Sequence, residues 1–104
     1  MTAKRVLVID DDENILELMK EYLGVLEIEA LTANNARGGI EMAKTEKPDA
    51  ILLDLMMPEM SGTDVAQALL ENSSTRDIPV IFLTGLAAKE DSEISPDGDY
   101  HFLS

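Results

Sequence analysis

The stretch Ile51-Leu52-Leu53-Asp54-Leu55-Met56-Met57-Pro58-Glu59-Met60-Ser61-Gly62 holds the sharpest change of pattern in this chain. Ala50 to Leu53 is an apolar run of strand composition that ends on a carboxylate, and Pro58 and Gly62 stop any continuation of it. Asp54 is therefore placed at the carboxyl end of a strand. In an open parallel sheet that edge is where ligands sit, because the loops leaving it form the crevice. Two further runs lead to the same edge: Val6-Leu7-Val8-Ile9 into Asp10-Asp11-Asp12, and Val80-Ile81-Phe82-Leu83 into Thr84.

Between and around these runs the pattern alternates. Val6 to Ile9 is continuously apolar, as expected of a parallel strand covered on both faces. Asp11 or Asp12 can cap the helix that follows, in which Ile15, Leu18, Met19, Tyr22, Leu23 and Leu26 recur at helical spacing and are expected to face inward. Glu29 to Thr32 suits an edge strand, and Asn34-Asn35 supplies a turn and a cap. A second helix is expected over Ala36 to Glu46, with a stripe of Ala36, Ile40 and Ala43 and with two glycines, Gly38 and Gly39, that make it lean on packing. Thr63 or Asp64 caps a third helix whose Val65, Ala68 and Leu69 face inward, and Asn72-Ser73-Ser74 closes it. Leu86 to Ile94 has the composition of a short fourth helix, and Tyr100 to Leu103 reads as a last strand.

Five strands and four helices in alternation predict an α/β fold, a flavodoxin-like doubly wound five-stranded parallel sheet with right-handed crossovers. The expected strand order is 2-1-3-4-5, with helices on both faces. Strands one and three then flank the switch point, so Asp10, Asp11 and Asp54 meet in one crevice.

Composition sets outer limits. The chain has 104 residues and no cysteine, with 45% apolar residues, which fits one domain with one core and a reducing compartment. Only four apolar residues separate the N-terminal basic pair Lys4-Arg5 from the aspartates, too few for a signal-peptide core or a membrane span. A cytoplasmic location is expected. With 21 acidic against 8 basic residues the formal charge is −13, which repels nucleic acid and anionic lipid.

Three carboxylates brought within a few ångströms repel and raise one another's pKa unless a positive charge lies between them. A hard divalent cation supplies it, and oxygen-only ligands suit Mg²⁺ or Mn²⁺. A carboxylate at such a metal is also a competent nucleophile toward phosphorus, giving an aspartyl phosphate. Thr84 is placed to donate a hydrogen bond to one phosphoryl oxygen.

These residues resemble a family. The run Val6 to Asp12, the run Asp54-Leu-Met-Met-Pro58-Glu-Met-Ser-Gly62 and the tripeptide Leu83-Thr84-Gly85 agree in type and mutual spacing with the receiver domain of two-component response regulators. The resemblance runs from about Arg5 to the last residue. It implies that Asp54 is the phosphoacceptor, that Asp11 binds Mg²⁺ directly and Asp10 through water, and that the backbone carbonyl of Met56 is a further ligand. It implies that Thr84 is the switch hydroxyl and Phe102 the aromatic switch residue. Its implied partners are a sensor histidine kinase or a phosphotransfer protein as donor, and an output domain on the same or another chain.

The family's pattern places a lysine, followed by proline and a last helix, immediately beyond the equivalent of Ser104. On that alignment the receiver domain, residues 1–104, is C-terminally incomplete, and slow phosphorylation and homodimers through bared sheet surface are expected. Two other readings accompany this one. A phosphorylation-independent receiver-like interaction module needs the same fold without the chemistry. A haloacid-dehalogenase-like phosphatase would use Asp10 as nucleophile and Asp12 as acid/base, but Glu13-Asn14 stands where that family has Gly-Thr. A flavodoxin-type FMN site fits least, since the first loop offers carboxylates where a phosphate needs backbone donors.

Overall fold

In the computed structural model, residues 4–83 are described in full and 100–103 as backbone. The strands are β1 (Arg5–Ile9), β2 (Glu29–Ala33), β3 (Ala50–Asp54), β4 (Val80–Leu83) and β5 (Tyr100–Leu103). The described helices are α1 (Glu13–Val25), α2 (Ala36–Glu46) and α3 (Gly62–Glu71). All strands are parallel, as the alternation of patterns requires, and their order is the expected β2-β1-β3-β4-β5. The expected helix over 86–94 lies outside the described residues.

Alternation along each strand divides the core into two layers. Leu7, Ile9, Ile51, Leu53, Val80 and Phe82 pack under α2 and α3 with Ala36, Ala43, Val65, Ala66 and Leu69. Val8 and Leu52 point to the opposite face, where they meet Leu16 and Leu23 of α1. Strands this short and this apolar are stable only when covered on both sides, which the βαβ crossovers accomplish.

The helices begin where short polar side chains satisfy their first amides. Asp12 caps α1 by accepting from the Asn14 N–H at 2.8 Å, and Asn35 caps α2 through the Gly38 N–H at 2.7 Å. For α3 the cap is Ser61, which accepts from the Asp64 N–H at 3.2 Å, rather than Thr63 or Asp64. The helix therefore starts at Gly62.

Two inward faces differ from the sequence reading. In α1 the buried positions are Leu16 and Leu23, whereas Leu18 and Tyr22 are each 59% exposed and Leu26 51%. Leucines and a tyrosine occur all round this helix, so apolar spacing alone does not say which arc meets the sheet. In α3 Ala66 is buried in place of Ala68. Gly39 is the reason α2 tolerates its glycines: a Cβ there would lie 2.5 Å from Cδ1 of Ile9, so the bare backbone lets the helix settle on β1. At the far end of the sheet, Arg5 pairs with Glu46 (3.1 Å) and its N–H donates to Asp49 Oδ2 (2.8 Å), tying β1 to the end of α2.

Candidate acidic metal and phosphoacceptor site

The register of β1 against β3 sets Ile9 opposite Leu53. The next residue on each strand is an aspartate, so Asp10 and Asp54 leave the sheet side by side. Asp11 follows in the same loop, and one carboxylate oxygen from each of the three lies within 4.8 Å of the others. The three residues that the sequence brings to the switch point are thus the three that meet.

Their environments differ. Asp10 is 6% exposed; its Oδ1 accepts from the Asp12 N–H at 2.9 Å and its own N–H donates to Ala33 O at 3.1 Å. Asp54 is half-buried and accepts weakly from the Met56 N–H at 3.3 Å. Asp11 is exposed. Burial pushes the Asp54 carboxyl up to about 6, and the charges of Asp10 and Asp11 add to the rise. Burial likewise raises Asp10, with repulsion from Asp11 and Asp12 contributing and the Asp12 N–H opposing. The resistance of Asp10 and Asp54 to ionisation is what crowded, buried carboxylates show when the balancing charge comes from outside the chain. An all-oxygen donor set of this charge fits a hard divalent cation such as Mg²⁺.

The loop after Asp54 is held close by a glycine. The Gly62 N–H donates to Leu55 O at 2.7 Å, and a Cβ at Gly62 would come within 2.5 Å of Asp54 O and 2.8 Å of Leu55 Cα. In the sequence Gly62 stops the strand and closes the run from Asp54; its adjacency to the Ser61 cap is the signal that it also opens a helix against the site. Met57 and Met60 pack on the core beneath the loop, but Met56 is 75% exposed. A cavity of about 420 Å³ beside the cluster is lined by Asp11, Leu55, Met56, Met57, Pro58 and Ser61. Asp12, the acid/base of the phosphatase reading, is taken up by the α1 cap. Thr84 lies outside the described residues; β5 sets the Phe102 backbone opposite Phe82, and its side chain is likewise outside them.

The family model of the response regulator receiver domain matches residues 6–96. The chain belongs to that family. As a receiver domain it is a phosphoacceptor signalling domain of two-component systems. It is 32% identical over 90 residues to the polar-differentiation response regulator DivK of Brucella anthropi, a match covering 86% of this chain and 73% of DivK. To the response regulator PleD of Caulobacter vibrioides it is 39% identical over 89 residues, 86% of this chain but only 20% of PleD. Among solved structures, the chemotaxis response regulator CheY4 of Vibrio cholerae superposes with a TM-score of 0.83 at 26% identity, over 98% of this chain and 86% of CheY4. TrrA of Thermotoga maritima, solved in complex with Mg²⁺ and BeF, gives 0.81 at 32% identity over 97% and 86% of the two chains. Among the described residues no helix of this receiver domain is long and apolar enough to cross a membrane.

Proposed function

We propose that Asp54 accepts a phosphoryl group from a phosphohistidine of a sensor kinase or phosphotransfer protein, in a crevice where Asp10, Asp11, Asp54 and the Met56 carbonyl hold Mg²⁺ or Mn²⁺. The observation that carries this reading is the convergence of three carboxylates, from two neighbouring strand ends, within 4.8 Å. The Mg²⁺- and BeF-bound state of TrrA supports the same cation.

An ionised Asp54 oxygen attacks phosphorus, the P–O bond forms as the P–N bond to the donor imidazole breaks, and that nitrogen takes a proton from solvent. Asp54 is the half-buried member of the cluster, while Asp10 is buried and anchored by its backbone partner. Held by Asp10, Asp11 and Asp54, a divalent cation would supply positive charge to offset that of the carboxylates and of the phosphoryl group. Thr84 and Phe102 are assigned the switch roles that respond to the new phosphoryl group. The only chemistry assigned is this self-phosphotransfer; the chain turns over no separate substrate. Output follows from a domain on this or another protein, and the setting is cytoplasmic.

Intact mass after incubation with Mg²⁺ and a small-molecule phosphodonor tests the assignment beside an Asp54→Asn control. A gain of one phosphoryl group is expected in the wild type alone. A gain in both chains would move the acceptor elsewhere, and no gain in either would favour a phosphorylation-independent binding module.

A further inference from the structure

The segment leaving β1 is pinned at three of its four residues. Asp10 is anchored by Ala33 O and by the Asp12 N–H, and Asp12 is committed to the α1 cap. Glu13, the first residue of α1, accepts from Asn34 Nδ2 at 2.7 Å through its Oε2. Only the Asp11 side chain forms no hydrogen bond among the described residues.

The Glu13 contact is one link in a longer chain. Asn34 Oδ1 accepts from Asn35 Nδ2 at 2.8 Å, and Asn35 Oδ1 accepts from the Gly38 N–H as the cap of α2. The start of α1 is thereby joined across the β2–α2 loop to the first turn of α2. That turn is itself seated on Ile9, the residue before Asp10, by the bare backbone of Gly39. Both ends of the acidic segment are thus referred to one helix.

We propose that Asn34 and Glu13 are positioning residues for the acidic crevice: their hydrogen bond holds the start of α1 so that Asp11 is presented to a divalent cation beside Asp10 and Asp54. The proposal rests on the reading of that crevice as a cation site. Mg²⁺ tolerates little departure from octahedral geometry, and ligands held by an outer ring of hydrogen bonds bind it without ordering the loop first. Asn34 acts through a neutral amide and Glu13 through its acceptor oxygen, so the effect depends on the bond rather than on the charge of Glu13.

The test is a Mg²⁺ titration of the full chain by calorimetry, with the metal-free thermal midpoint and amide hydrogen exchange measured alongside. Asn34→Ala and Glu13→Ala should each weaken Mg²⁺ binding about threefold to tenfold, and the double variant no further. Glu13→Gln, whose side-chain oxygen still accepts from Asn34, should bind within about twofold of wild type. Metal-free midpoints should stay within a few degrees of wild type, since the bond is exposed, while the Asn14 amide exchanges faster in Asn34→Ala. Wild-type affinity in Asn34→Ala, or a Glu13→Gln variant as weak as Glu13→Ala, would overturn the proposal and leave the cation site standing. Absence of Mg²⁺ binding in the wild type, or its survival in Asp11→Asn, would overturn the cation site and this inference together.

Discussion

Asp54 and Asp10 hold their protons more tightly in the folded chain than in the unfolded one, because burial and mutual repulsion disfavour their ionised forms. Between the ordinary value of 3.8 and the raised value of about 6 for Asp54, the folded state binds more protons than the unfolded state. The stability from this source is therefore full below the ordinary value and is lost as pH rises through the folded one. Thermal midpoints of the metal-free chain should fall between those limits, as a pH series by circular dichroism would record. Asp54→Asn should raise metal-free stability at pH 7 by about 1–2 kcal/mol, allowing for partial solvent screening, and flatten the slope. A second residue-scale prediction concerns Gly62. Gly62→Ala forces a Cβ against the backbone of Asp54 and Leu55, so it should cost about 1–3 kcal/mol and weaken Mg²⁺ binding measured by titration.

At the scale of elements, the glycines of α1 and α2 behave oppositely. A Cβ at Gly24 meets nothing within 4 Å, so Gly24→Ala should stabilise by about 0.5–1 kcal/mol through backbone entropy. Gly39→Ala drives a methyl into Ile9 and should destabilise by about 1–3 kcal/mol, both read from urea midpoints. The orientation of α1 is open to the same kind of measurement. Leu16 is 5% exposed, so Leu16→Ala should cost about 2–4 kcal/mol, while Leu18→Ala at 59% exposed should stay within about 0.5 kcal/mol. Reversal of that order would mean that α1 meets the sheet through the arc its apolar spacing first indicated.

Across the whole molecule, cation binding and folding are linked. The candidate ligands come from two strand ends far apart in the sequence, Asp10 and Asp11 after β1 and Asp54 at the end of β3, so the unfolded chain has no equivalent site, and Mg²⁺ should raise the thermal midpoint. The cation competes with the protons on Asp54 and Asp10, which makes the increment larger at pH 7 than at pH 5. An increment independent of pH would mean that Mg²⁺ binds elsewhere. The net charge of −13 points the same way, since few cationic side chains are available to offset the cluster from within.

Much of this was legible in the residues. Three apolar runs ending in Asp10, Asp54 and Thr84 imply strand ends at one edge, and the alternation of patterns implies a parallel sheet with crossovers of one hand, for which the order β2-β1-β3-β4-β5 was the expectation and is the order observed. The meeting of Asp10, Asp11 and Asp54 follows from that order. What only the tertiary structure decided were contacts between elements: the arc of α1 that meets the sheet, Gly39 against Ile9, Gly62 against the Asp54 loop, and the link from Glu13 to Asn34. Periodicity reports which residues share a face of one element, but not where a neighbouring backbone approaches it. That approach is set by the packing of whole layers, and it exists only once the chain is folded.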